Sequence, residues 1–358
     1  MKSSSLLVVD EGSRHHRLWQ GGMWGIFGLA ILLVPVVLAP FQVGNMNRAV
    51  ILGVAILGLN LVIGYGGQLA LGHSAFMGLG AFVTATMVQD ELWDYWMIIP
   101  VVIVLGFVVG LLVGLPALRV RGLYLALVTI AMATVFPTLA AIDKWGITER
   151  TGGPNGRKVV ELVEAPDFLG WLPGVGGARG GNAYRYWIIV VVAIAVWVLV
   201  RNLMNSRAGR AVIAIRDNET GAAVYGVNLP LYKTVTFGVS AAIGCVAGLL
   251  FTLQTAFVAP QDFTFLLAVD LLIGLVIGGV GTMQGGLVGG LFVVWVRDWT
   301  KKVTIPLGFY ELDGGGPLSQ ATFGIILILF TFFAPGGLVS LGRLLRSKII
   351  TVVPKGST

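Results

Sequence analysis

The stretch WMIIPVVIVLGFVVGLLVGLPAL (96–118) decides the fold: it holds no charged side chain, and Arg119 and Arg121 follow it at once. At 1.5 Å of rise per residue a helix of this length crosses about 30 Å of hydrocarbon. Within it Gly106, Gly110 and Gly114 recur every four residues. That spacing makes a groove along one helix face, where a neighbouring backbone approaches closely. The same spacing returns at Gly274 and Gly278 and at Gly285 and Gly289.

The rest of the chain agrees with this segment. Apolar residues make up 56% of the 358 and charged residues 11%, with a mean hydropathy of +0.88. A soluble domain carries about 25% charged residues to wet its surface. The 51 glycines suit close helix packing in a membrane. Ten apolar segments follow, at roughly 22–40, 49–64, 68–88, 96–118, 122–142, 186–200, 233–257, 265–279, 285–296 and 319–334. The eighth and ninth are short enough to be partly re-entrant. The first exceeds the apolar run of a signal peptide and reads as a retained helix. The fold class is therefore an all-α integral membrane protein with about ten transmembrane helices.

Orientation follows from the basic residues. With the N-terminus in the cytoplasm, Arg14, Arg17, Arg119, Arg121, Arg201, Arg207, Arg210 and Arg216 all fall inside, as the positive-inside rule asks. The net charge of +7 thereby gains a topological explanation and needs no nucleic acid partner. Residues 1–20 read as a cytoplasmic tail, 21–340 as the membrane domain and 341–358 as a second cytoplasmic tail. Within the domain, 143–185 is an extracytoplasmic loop of Gly, Pro and Asn turns, and 201–232 a basic cytoplasmic segment with helical character. A weak internal echo links 63–82 with 277–292: each runs helix, glycine turn, glycine-rich helix. Transporters often contain such repeats, and shared glycine bias gives the same echo.

Few residues carry chemistry. Cys245 stands alone as a small core residue, and the three histidines form no cluster with metal-ligand spacing. No phosphate-binding loop and no catalytic pair can be assembled, so any ATP hydrolysis belongs to another chain. Gln68, His73 and Ser74 are hydrogen-bonding groups at the inner end of an apolar run, among glycines that loosen a helix. They either bridge backbone freed by a break or touch a translocated molecule. Asp270 is the only carboxylate well inside a candidate helix, and such a group is costly unless it is used or lies at the interface. The segment SRAGRAVIAIRDNETGAAVYGVN (206–228) has an apolar side at Val212, Ile215, Ala222 and Ala223. Outside the bilayer, an amphipathic stretch lies on lipid or docks into a partner's groove, and its acids and alanines favour docking.

Taken together, GYGGQLALGHSAFMGLGAF (64–82), LRVRGLYLALVTIAMA (118–133), TGGPNG (151–156), SRAGRAVIAIRDNETGAAVYGVNLPLYK (206–233) and IGGVGTMQGGLVGG (277–290) resemble LivM-type permease subunits of branched-chain amino acid ABC importers. The resemblance covers about residues 45–340, in order. It implies an architecture similar to the vitamin B12-type importers and a multi-pass protein of the bacterial inner membrane. It also implies a coupling helix seated on an ATPase, here Arg210–Gly226. Arg207, Arg210, Arg216, Asp217, Asn218, Glu219, Ala222, Ala223 and Gly226 would carry the coupling. Glu219, Ala222, Ala223 and Gly226 match the family's Glu-Ala-Ala…Gly pattern, with Thr220-Gly221 intervening. Gln68, His73, Ser74 and Asp270 would lie along the pathway. The implied partners are a homologous permease, two cytoplasmic ATPases that bind ATP and Mg, and an extracytoplasmic binding protein, with no cofactor in this chain. Relatives that import urea or short amides keep the architecture and change the cargo. A secondary transporter or channel would need ionisable residues in several helices, and an intramembrane enzyme would need a catalytic pair.

Overall fold

A computed structural model of the chain describes residues 7–10, 28–29, 31–90, 93–117, 123–142, 146–159, 172–175, 180–255, 257–300, 305–307, 310–312, 317–334 and 336–353. Arg14, Arg17, Arg119 and Arg121, on which part of the expected orientation rests, lie outside these residues. The described chain is almost wholly helical: α1 (Pro40–Asn60), α2 (His73–Asp90), α3 (Tyr95–Ala117), α4 (Leu123–Ala141), α5 (Ile147–Thr151), α6 (Gly180–Asn205), α7 (Arg207–Asp217), α8 (Glu219–Val224), α9 (Leu229–Gln254), α10 (Phe265–Gly278), α11 (Gly285–Thr300), α12 (Pro317–Phe333) and α13 (Gly337–Ile349). Three two-stranded pairs complete it. One of them joins Leu7–Asp10 in parallel to Ile350–Val353, bringing the two ends of the chain together.

Among the described residues five helices are long and apolar enough to cross a membrane: α1 with the turn that follows it, α3, α4, α6 and α9. Burial sorts them. Within their apolar windows α9 is 83% buried and α1 72%, whereas α3 and α4 are 28% buried and α6 33%. The centre is therefore α1 and α9, with α3, α4 and α6 turning most of their surface outward. Glycine sets this order, since lipid offers no hydrophobic drive between helices and close backbone packing must supply it. A Cβ at Gly248 on α9 would overlap the Met77 carbonyl oxygen of α2, and one at Gly80 would overlap the Cys245 carbonyl of α9. The Gly106, Gly110 and Gly114 face of α3 lies on Cys245, Ala241, Ala242, Gly238 and Thr234 of α9, as its spacing predicts.

Helices α10 and α11 form a hairpin of 14 and 16 residues, about 21 and 24 Å long. Gly278 meets the Gly285 carbonyl and Gly289 meets that of Gly274. Gly286 and Gly290 then seat the hairpin on Gly53 and Ala49 of α1. The turn at 279–284 reaches the C-terminal end of α1, where the Asn60 carboxamide bonds both sides of it: Nδ2 donates to the Thr282 carbonyl at 2.8 Å and Oδ1 accepts the Gly281 N–H at 2.8 Å. The two turns of the sequence echo thus touch one another through Asn60.

The helix boundaries differ from the hydropathy segments in two instructive places. Segment 49–64 begins at Pro40, because Asn45 and Asn47 find protein partners: Asn45 Nδ2 donates to Asp298 Oδ2, and Asn47 Nδ2 to Gln254 Oε1 at 2.6 Å. Segment 68–88 begins at His73, and residues 67–72 have no regular structure. Irregular backbone at membrane depth needs protein partners. One is Thr129, whose Oγ1 accepts the Leu71 N–H at 2.8 Å.

Candidate functional site

The basic segment folds as two capped helices outside the spans. Ser206 caps α7, its Oγ accepting the Gly209 N–H at 3.4 Å, and Asn218 caps α8, its Oδ1 accepting the Gly221 N–H at 2.9 Å. Such caps satisfy backbone donors that a helix start leaves open. Gly209, Val212 and Ile215 form the buried face of α7, so the apolar side read from the sequence packs on the protein's own spans. Arg207, Arg210, Arg216, Asp217 and Asn218 lie on the exposed side.

Individual residues of the expected coupling set divide between bracing and exposure. Glu219 receives a hydrogen bond from Lys233 Nζ at 2.6 Å, tying α8 to α9. Ala222 is buried within the chain, whereas Ala223 and Gly226 are exposed. Between the last two stand Val224 and Tyr225, 81% and 91% exposed, which the alanine–glycine pattern passes over. Exposed apolar neighbours on a capped, braced tip are the part of this segment that has no partner within the described chain. Gly226 has φ +81° and open space around it. Its requirement is the left-handed backbone itself, which costs another residue about 1–2 kcal/mol.

Arg216 links this segment to the spans. Its Nη1 donates to the Gly64 carbonyl at 3.0 Å, and its stem fills the space beside Gly67 at φ +64°. Gly64 belongs to a π-turn, Leu61–Tyr65, that continues α1, and such turns frequently mark functional sites. Asn60 ties the same turn to 281–282, so α7, the end of α1 and the α10–α11 hairpin meet at one point. Gln68 lies in the crevice here, beside Val212, Ile215 and Lys233.

The four residues expected along a pathway are not brought together. His73 is buried against Gly58 and Gly244, and neither its Nε2 nor Ser74 Oγ finds a hydrogen-bond partner among the described residues. Asp270 pairs with Arg297 across the hairpin. Asp270 is 8% exposed, while the Arg297 side chain is 44% exposed. Removing the arginine leaves a buried carboxylate without a counter-charge, so Arg297→Ala is expected to destabilise toward the low end of ~3–5 kcal/mol. The double variant Asp270→Asn with Arg297→Gln, which pairs two neutral amides, should melt above the single variant in detergent. A double variant no more stable than Arg297→Ala would show the pair to be incidental.

Arg297 also reaches the wall of a cavity of about 540 Å³ at the other end of the molecule. From Arg48, on its rim, to Gly64 the chain rises about 24 Å along α1. The N-terminal half of α1, the C-terminal ends of α9 and α11, and the start of α10 enclose it. Asp262, in the connection Pro260–Phe263, stands at its mouth. Burial pushes the Asp262 carboxyl up, opposed by the Ala259 N–H and the Arg48 guanidinium. The TGGPNG motif holds this mouth in place. Strand Arg157–Lys158 pairs with Phe257–Val258, the Pro154 carbonyl accepts from Gln261 Nε2 at 2.9 Å, and Arg157 pairs with Asp90. None of Arg48, Asp262, Arg297 and Asp298 stood among the sequence candidates. They are scattered over 250 positions, and only the packing of four helix ends unites them.

A family model described as branched-chain amino acid transport system / permease component matches residues 43–332. The chain is 28% identical over 338 residues to the high-affinity branched-chain amino acid transport system permease protein LivM of Escherichia coli K12, covering 88% of this chain and 75% of that one. It is 27% identical over 246 residues to the probable branched-chain amino acid transport permease protein LivM of Methanocaldococcus jannaschii, covering 66% and 65%. It is 27% identical over 218 residues to the autoinducer 2 import system permease protein LsrC of Salmonella choleraesuis, covering 60% and 56%. No solved structure matches the chain.

Proposed function

Because the chain belongs to the permease components of branched-chain amino acid transport systems, we propose that it carries such amino acids, or close relatives, across the bacterial inner membrane. An extracytoplasmic binding protein delivers them, and a homologous permease completes the pathway. Two cytoplasmic ATPases bind the ATP and Mg that drive it. The observation that carries this reading is the α7–α8 segment, a capped helix pair packed on the ends of the spans with Val224 and Tyr225 bare at its tip. In this reading the tip seats in a groove of an ATPase and the basic side of α7 faces the cytoplasm, with both chain ends on the same side.

The mechanism follows from what the tip is tied to. ATP shifts the permease only if one of its states binds the ATPase dimer better than the other. A displacement of α7 moves Arg216, which holds the Gly64 carbonyl. Asn60 passes the shift from that turn to 281–282. The hairpin beyond it forms one wall of the cavity through Leu267, Val294 and Arg297. Motion at the ATPase end thus opens or closes a space at the delivery end.

The test is twofold. The tagged chain, purified from its own cells, should bring down an ATPase. ATP-dependent uptake of labelled leucine should disappear on deletion of the gene while urea uptake is unchanged. Loss of urea uptake alone would transfer the same architecture to the amide-importing branch, and an isolated chain without ATPase would sink the importer reading.

A further inference from the structure

We propose that the cavity at the delivery end is a binding site for a zwitterionic α-amino acid with an aliphatic side chain, Arg48 receiving the carboxylate and Asp262 and Asp298 the ammonium. The proposal deepens the importer reading and rests on it, by giving the cargo a place on this chain. The cavity's size, about 540 Å³, falls within the range of small-molecule sites, which combine apolar walls with a few placed polar groups.

The lining has that division. Phe251, Leu267 and Val294 give it an apolar surface backed by the buried Ile51 and Met77, and Arg48 and Asp262 are exposed charged groups of the same lining. Most of the charges have unspent capacity. Arg48 is exposed and makes no hydrogen bond or ion pair with the described residues, although it lies close enough to Asp262 to affect its carboxyl. Asp262 spends Oδ2 on the Ala259 N–H at 3.1 Å, and Asp298 spends Oδ2 on Asn45 Nδ2. Each keeps its other oxygen open toward the described chain. Arg297 is already engaged by Asp270.

One open guanidinium and two open carboxylate oxygens in the lining of one cavity supply what an ammonium carboxylate requires. Guanidinium binds carboxylate by two parallel hydrogen bonds, and charge-assisted bonds of this kind are the strong ones. An uncharged amide such as urea would use Asn45 and Gln254 and leave Arg48 idle. A simple anion would meet Asp262 and Asp298, and a simple cation would meet Arg48. The aliphatic side chain finds its partners in Phe251, Leu267 and Val294, so both ends of the ligand are accounted for within one cavity.

The experiment uses the full chain with the subunits that co-purify with it, in nanodiscs and without binding protein. It is titrated with L-leucine, leucinamide, which lacks the carboxylate, and 4-methylpentanoate, which lacks the ammonium. L-Leucine is expected to bind at least about tenfold tighter than either analogue, the scale of one charge-assisted pair. Arg48→Gln should erase the preference for leucine over leucinamide, and Asp262→Asn should weaken the preference over 4-methylpentanoate. Arg48→Lys, which keeps the charge, should retain part of the first. Equal affinities for the three ligands in the unaltered chain, or a preference untouched by Arg48→Gln, would overturn the site. Leucine uptake by whole cells is scored separately. Uptake without a preference in the cavity removes this site and leaves the importer reading standing. Absence of both removes both.

Discussion

Gly248→Leu is expected to give no assembled protein, with the chain lost from the monodisperse peak in detergent. Gly248 sits in the most buried helix, where a Cβ would overlap the Met77 carbonyl oxygen and crowd the Ala81 nitrogen. These are backbone atoms of α2, so the clash cannot be relieved by a rotamer. Separating α2 from α9 would also open the neighbouring contact of Gly80 with the Cys245 carbonyl. Overpacking a core costs ~1–3 kcal/mol where side chains can yield, and more where only backbone can. Gly248→Ala should therefore fall at or above that range as a lowered melting temperature. Gly324 is the control, since a Cβ there meets nothing within 4 Å. Gly324→Ala should be neutral or slightly stabilising, because alanine favours the helix by about 1 kcal/mol over glycine. Equal melting temperatures for Gly248→Ala and Gly324→Ala would show that close backbone packing does not organise this bundle.

Replacing Val224 and Tyr225 together by aspartate should abolish leucine uptake while leaving the chain inserted and folded. The two side chains are 81% and 91% exposed, so the spans lose nothing when they change. A buried aromatic at the centre of an interface is worth ~2 kcal/mol or more, about thirtyfold in affinity, and two introduced charges add desolvation to that loss. The ATPase should accordingly fail to co-purify. Undiminished recovery of the ATPase would show that the tip rests on lipid. Substitutions beside the tip should do less. Glu219→Gln removes an ion pair with Lys233 whose partners are partly exposed, a contribution of ~1 kcal/mol or less. Gly226→Ala adds only the left-handed strain of its φ of +81°. This order, tip above brace, distinguishes a docking surface from a merely structural elbow.

Much of this was legible in the chain. The uncharged run at 96–118 determined a membrane helix, because charge cannot be afforded where no water reaches it. The glycine spacing along it determined a packing face, which α9 covers. The change of composition after residue 200 set off the capped segment from the spans, since caps and charges are local signals. The loosened helix at 64–74 was legible for the same reason, and the structure places its break at 67–72.

Other features needed three dimensions. Asn45 and Asn47 look like loop residues in a hydropathy scan, yet they belong to α1, where Asp298 and Gln254 take up their polar groups. Glu219 and Ala222 match a docking pattern, yet one braces α9 and the other is buried, leaving Val224 and Tyr225 at the tip. Gln68, His73, Ser74 and Asp270 looked like one set and separate into three places. The sequence by itself determined which stretches enter the membrane and which small residues let them touch, because both depend on neighbours within a few helical turns. Only the tertiary structure decided which helix ends meet around the cavity and that Arg216, Asn60 and the turn at 279–284 form one joint. The bonds that hold these meetings, Asn45 to Asp298, Asn47 to Gln254, Asn60 to Thr282 and Arg216 to Gly64, join residues more than 150 positions apart, and no local pattern in the chain pairs them in advance.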